Sequence, residues 1–307
     1  LPGTPQIQNI IPTTFFKTNT WAAPTLGVIG GIFILIVGLT YLNWRRRSAQ
    51  TAGEGYGENL LNEPEPFPDE KLANPVIAIL PLFVVGIFNK VFTTVIPDLY
   101  GKVHELALPG LAKPIATDVT KIAAIWAVEA ALLLGILCVL AFAFKPVMAK
   151  FADGSKAAVG GALLASMNTA SEYGFGAIIA ALPGFIYIAD ALKAIPNPLI
   201  NEAISISTLA GITGSASGGM SIALAAMSET FIANANAAGI PLEVFHRVAS
   251  MASGGMDTLP HNGAVITLLA VTGLTHKQSY GDIFAITIIK TSAVFVVIAA
   301  YYLFGIV

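Results

Sequence analysis

Asp257 and His261 lie four residues apart in the run Ser253-Gly254-Gly255-Met256-Asp257-Thr258-Leu259-Pro260-His261-Asn262-Gly263, which has largely apolar sequence on both sides. A carboxylate and an imidazole in apolar surroundings are costly unless they face a cavity or a partner. The chemistry they suit is reversible binding of a proton or cation. Their alternative role is mutual pairing, or pairing with Arg247, to hold a break in the chain. Glu172, within Asn168-Thr169-Ala170-Ser171-Glu172-Tyr173-Gly174-Phe175-Gly176, is a third such group. It is either a proton or cation site or a buried carboxyl bonded to neighbouring hydroxyls. Gly211-Ile212-Thr213-Gly214-Ser215-Ala216-Ser217-Gly218-Gly219-Met220-Ser221 offers different chemistry. The hydroxyls of Thr213, Ser215 and Ser217 and the amides of Gly214, Gly218 and Gly219 suit an anion. A helix N-terminus near Met220 would add partial positive charge. Small-residue helix packing is the alternative there, since Gly214 and Gly218 form a G-x-x-x-G pair.

The elements that must position these groups are helices in lipid. Of the 307 residues 55% are hydrophobic and 11% charged, and the mean hydropathy is +0.74. A water-soluble domain is excluded by that balance. A net charge of -2 gives no basic field for nucleic acid. The single cysteine, Cys138, rules out an intrachain disulfide. Five segments are apolar and long enough to span: 24–44, 75–97, 118–144, 157–189 and 283–304. Two others are interrupted by small residues and proline. Segment 202–235 is expected to enter and leave by one face as a re-entrant hairpin, because each flank of its glycine-rich centre holds about ten apolar residues. Segment 241–275 is expected to be a broken helix, since Pro260 and its neighbouring glycines cannot continue one. Lys90, Glu129 and Glu229 are taken as structural.

Arg45-Arg46-Arg47 after the first span places that end in the cytoplasm. Alternation then places Lys145, Lys150 and Lys156 there too. Residues 45–74 read as a cytoplasmic linker. The opening Leu1-Pro2-Gly3-Thr4-Pro5-Gln6-Ile7-Gln8-Asn9 is followed by a short apolar run and a full span, as is Leu259-Pro260-His261-Asn262-Gly263. Counting crossings, the two run in opposite senses, which is the pattern of an inverted-repeat transporter. Residues 1–44 are then the end of a first repeat and 75–307 a second, and a preceding portion with its own hairpin is expected. The fold class expected is an all-α polytopic membrane protein with a re-entrant hairpin and broken transmembrane helices.

Four runs together resemble the gluconate permease (GntP) family: the opening Leu-Pro-Gly-Thr-Pro-Gln-Ile-Gln-Asn, Asn-Thr-Ala-Ser-Glu-Tyr-Gly-Phe-Gly from Asn168, Gly-Ser-Ala-Ser-Gly-Gly from Gly214, and Met-Asp-Thr-Leu-Pro-His-Asn-Gly from Met256. The resemblance covers essentially the whole chain. It implies a multi-pass symporter of the bacterial cytoplasmic membrane that imports a hydroxylated carboxylate, such as gluconate or 3-hydroxybutyrate, with protons. The substrate carboxylate is expected at Thr213, Gly214, Ser215, Ser217, Gly218 and Gly219, with Thr4, Gln6, Thr258 and Asn262 on its hydroxyls. The coupling proton is expected on Asp257, His261 or Glu172. Sodium coupling through Asp257, Asn262 and freed carbonyls is the alternative. No enzyme activity and no resident metal or cofactor are expected: Gly214-Ser215-Ala216-Ser217-Gly218 has alanine where a nucleophile elbow needs serine, and no histidine pair has metal-ligand spacing. The partners expected are a small organic anion and lipid, with self-association left open.

Overall fold

The computed structural model describes residues 1–54, 74–107 and 114–307, less a scatter of side chains, most of them between 164 and 193. These residues form an all-α polytopic membrane protein. Four helices among them are long and apolar enough to cross a membrane: α2 (Pro24–Thr51), α3 (Pro75–Tyr100), α4 (Val119–Ala149, apolar from Ile122) and α11 (His276–Phe304). Their outward side chains, among them Leu35, Leu82, Leu133 and Leu303, are more than half exposed. A water-soluble protein would bury such residues, and lipid covers them here.

The helices begin where the chain dictates. Pro24, Pro75, Pro183 and Pro198 open α2, α3, α6 (Pro183–Lys193) and α7 (Pro198–Thr213). Proline is tolerated there because the first-turn amides have no partner within the helix. Asn74, Asp118 and Asn197 cap α3, α4 and α7 through their side chains. The expected fourth span, 157–189, is corrected to two helices. Helix α5 (Phe151–Ala180) ends before Leu182, which is extended, and Pro183 starts α6. Helix α2 continues seven residues beyond the expected end at Trp44, through the three arginines to Thr51. Charged residues are good helix formers and end the apolar run without ending the helix. A small antiparallel pair, β1 (Val103–Leu106) and β2 (Ile115–Asp118), precedes α4 and was not expected.

The chain divides into two compact units. The first comprises Leu1–Pro2, Ala22–Phe67 and Thr169–Val307, and the second Gly3–Trp21 and Pro68–Asn168. In the second unit α3 and α4 pack together around Ile96, Val119, Ala123 and Ala127, while α1 (Ile7–Phe16) rests on α4. Asn89 of α3 accepts from the Thr20 hydroxyl at 3.0 Å and the Trp21 indole at 2.8 Å. Lys90 stacks over the Trp21 ring at 5.3 Å, which gives this mid-span cation a structural partner. Helix α4 leaves helical geometry at Ala143, just before Pro146, whose ring cannot fit a regular turn.

In the first unit α7 and α8 (Ala216–Ala238) form a helical hairpin, packed against α9 (Leu242–Ser253). Leu199, Ile206, Leu209, Met220, Leu224, Met227, Phe231, Phe245 and Val248 fill this core and are almost wholly buried. A Cβ on Gly219 would stand 2.3 Å from the Ala210 backbone, so only glycine lets the two helices approach this closely. The hairpin arms are 16 and 23 residues long, about 24 and 35 Å at 1.5 Å per residue. The expected short flanks are therefore corrected: Gly211, Gly218 and Gly219 belong to the helices, and only Gly214 and Ser215 form the turn.

Candidate functional site

The break in segment 241–275 lies where Pro260 requires it. Helix α9 ends at Ser253, a single 3-10 turn covers Met256–Thr258, and α10 (Gly263–Thr272) starts after Asn262. Asn262 is 8% exposed and works in two directions. Its Oδ1 accepts the Val265 amide at 2.9 Å and caps α10, and its Nδ2 donates to the Gly214 carbonyl. Gly214 is left-handed, with φ 63°, and a side chain there would meet the His261 ring at 2.8 Å. Gly211 faces Met256 and Leu259. The turn of the hairpin and the break in the helix, both picked out in the sequence, thus meet within one unit.

The charges at the break are paired differently from the mutual or Arg247 pairing that the sequence offered. Asp257 pairs with Lys290 of α11, Oδ1 to Nζ 2.9 Å, with the two side chains 20% and 24% exposed. It pairs with neither His261 nor Arg247. Arg247 is buried on α9 and donates through Nε and Nη2 to the Ala22 carbonyl at 3.1 and 2.6 Å, just before α2. Thr258 shares a hydrogen bond with the Thr287 hydroxyl, and the Thr258 carbonyl accepts from Tyr280 at 3.3 Å. His276 Nε2 lies 2.9 Å from the Pro260 carbonyl. Backbone groups released by the break are thus gathered by α11, as buried polar groups require.

Beside this junction is a cavity of about 440 Å³, lined among others by Ser207, Thr208, Gly211, Met256, His261 and Thr291. Its size falls within the range of small-molecule sites, and its wall is mainly apolar with a few hydroxyls and one imidazole. His261 is exposed toward it and makes no hydrogen bond among the described residues. Ser207 donates to the Ala252 carbonyl at 3.0 Å, tying the first hairpin arm to α9.

The other hairpin groups are partly engaged within the turn. The Thr213 hydroxyl donates to the Leu209 carbonyl at 2.8 Å, and Ser215 Oγ accepts the Gly218 amide at 3.1 Å. Ser217 Oγ lies 3.5 Å from Ser215 Oγ, and the Gly219 amide donates to the Ser215 carbonyl at 3.0 Å. The helix start expected near Met220 is corrected to Ala216, because Ser215 caps it. Thr4 and Gln6 lie in the other unit; the Thr4 carbonyl accepts from Asn9, and Gln6 is exposed ahead of α1. The Glu172 side chain lies outside the described residues. Glu129 and Glu229 are exposed. Among the described residues no group of three or more His, Cys, Asp or Glu side chains is placed to hold a metal.

Lys290 and Glu202 are ionisable residues of this unit that the sequence reading passed over. A lysine amid the last apolar span and a glutamate at the head of the hairpin were the available signals.

No family model matches the chain, and no solved structure matches it. It is 54% identical to the uncharacterized transporter YxjC of Bacillus subtilis (strain 168) over 316 aligned positions, covering 100% of this chain and 67% of that protein.

Proposed function

The chain belongs to the family of the transporter YxjC, and from that premise we propose that it carries a small hydroxylated carboxylate together with protons across the bacterial cytoplasmic membrane. The observation that carries this reading is the Asp257–Lys290 pair at a helix break beside a cavity of small-molecule size. A protein that must bind and release an organic anion needs a cation whose availability changes during the cycle. Lys290 supplies it. While Asp257 is ionised it holds the ammonium; once Asp257 is protonated, Lys290 is free to take the substrate carboxylate. Asp257 then cannot release its proton while the anion occupies Lys290, and this links the two cargoes.

His261 and the hydroxyls of Thr208 and Thr291 face the substrate's own hydroxyls, with Thr258 and Asn262 keeping the break in place. The hairpin groups Thr213, Gly214, Ser215, Ser217, Gly218 and Gly219 act chiefly as the floor of the site, bonded within their own turn. The Lys290 ammonium stands where a cation bound by Asp257 would have to sit, which favours protons over sodium as the coupling ion. The resemblance to gluconate permeases supports the same reading, as does the expectation from the sequence of two broken helices in an inverted repeat.

The test is uptake of labelled gluconate, 3-hydroxybutyrate, lactate, glycerate and citrate by the full-length protein in vesicles, under a proton gradient and with or without sodium. Uptake of a hydroxylated member should rise as the outside is acidified and ignore sodium. Substrate binding by Asp257→Asn should lose its pH dependence, and Lys290→Met should weaken binding by about ten-fold or more, some 1.4 kcal/mol. Wild-type pH dependence in Asp257→Asn would refute the assignment.

A further inference from the structure

On the first hairpin arm, away from the cavity, Asn201, Glu202 and Ser205 are 1%, 0% and 0% exposed. Residues three and four apart share a helix face, so Ser205 neighbours both of the others. Asn201 Oδ1, both carboxyl oxygens of Glu202 and Ser205 Oγ are buried without a hydrogen-bond partner among the described residues. The Asn201 amide is held in place by donating to the Leu192 carbonyl at 2.6 Å. Buried carboxylates in native proteins are paired or hydrogen-bonded, and an isolated ionised one is strongly disfavoured.

Among the described residues no charged side chain of the packed elements bonds this one. Arg247 and His246 on α9 do not bond it, and Asp257 and Lys290 bond each other. Asp190 of α6 and Glu229 of α8 are exposed; the Lys193 side chain lies outside the described residues. The packing also selects the ligand. Less than 1 Å² of either carboxyl oxygen is accessible. A proton adds no volume, whereas a hydronium or a hydrated cation needs water-sized space, which is not open to these carboxyl oxygens.

We propose that Glu202 is a second proton-carrying site of the transporter, loaded in this conformation and unloaded when α7 shifts far enough for water to reach the carboxyl. The step is a plain ionisation: the carboxyl O–H breaks, the electron pair stays on Glu202, and the proton passes to water; loading is the reverse. Glu202 stands twelve residues from Gly214, about 18 Å along α7, so it is separate from the Asp257 site. The same helix lines the cavity from Ile204 to Ile212. A shift of α7 driven by substrate therefore moves both sites. The inference rests on the proton-coupled reading above.

The test uses the full-length protein in proteoliposomes with labelled gluconate as probe. In Glu202→Gln, accumulation driven by a pH gradient should fall about ten-fold further than gradient-free counterflow does, the scale of a coupling between two ligand sites. A parallel fall in both, or no fall, overturns the proposal. Should Glu202→Gln not fold, or should the wild type ignore gluconate, an apolar carbodiimide reports on the wild type directly, since it modifies protonated carboxyls. Its adduct, mapped by peptide mass spectrometry, should form at Glu202 in mildly acid buffer and decline as the buffer is made alkaline. An absent adduct, or one indifferent to pH, overturns the proposal. Wild type inert to gluconate with a pH-dependent adduct refutes the substrate assignment and leaves Glu202 standing.

Discussion

At the start of the chain, Gln6 leads into the ten-residue helix α1, which ends at Lys17 in the left-handed region with φ 53°. At the break, Asn262 leads into the ten-residue α10, which ends at Gly273 with φ 68°. A helix of 28 residues follows the first and one of 29 the second. In each, a buried asparagine gathers freed carbonyls. Asn9 donates to those of Thr4 and Thr20 at 3.0 and 2.9 Å, and Asn262 to that of Gly214. The ionisable content differs. No Asp, Glu, His, Lys or Arg occurs from Leu1 to Phe16, whereas the later break holds Asp257 and His261 and recruits Lys290. Neutral amides therefore suffice to hold this local form, and the charges of the later break are surplus to that task. Expensive groups that the form does not need are the ones to assign to transport.

The strongest way to break this comparison is to remove the charge from one side only. Lys290→Met leaves Asp257 partly buried and uncompensated and should lower stability by about 2 kcal/mol, a value reduced for the fifth of the side chain that remains exposed. Adding Asp257→Asn should restore most of it, as read by thermal unfolding in detergent. Equal losses in the single and double variants would show that the pair itself holds the break, and the charges would then not be surplus to it. Next in size, Asn9→Ala and Asn262→Ala should each cost about 1–2 kcal/mol through unsatisfied carbonyls. The pH dependence of uptake should be unmoved by Asn9→Ala, and a shift there would erase the distinction between the two stretches. The smallest effects should be opposite in sign: Lys17→Gly stabilising and Gly273→Ala destabilising, each by about 1 kcal/mol, since both positions are left-handed.

The spans were legible because lipid demands long apolar runs, and the break because Pro260 and its glycines permit nothing else. The hairpin was legible as a hairpin, but its turn was placed too broadly. Glycine density signals a turn or a close helix contact equally well, and Gly219 proved to be a contact on Ala210. Pro183 carried a readable signal for the end of α5 that the surrounding apolar residues obscured. The partner of Asp257 was not legible, since Lys290 lies 33 residues away and nothing local ties the two together. Nor was Glu202: a single glutamate heading an apolar segment reads as an interfacial residue until its neighbours are seen to enclose it.

The contact between Gly219 and Ala210 bears on mechanics. Two helices touching backbone to backbone cannot be spread or slid without losing that contact, so the hairpin is a stiff lever rather than a pair of springs. Any swing must be taken up at its two ends, in the Ala194–Asn197 stretch before α7 and at Gly239 after α8, where φ is 66°. A tip displaced by the cargo at one end would tilt the whole rod about those pivots, so distance along the hairpin would transmit motion rather than attenuate it.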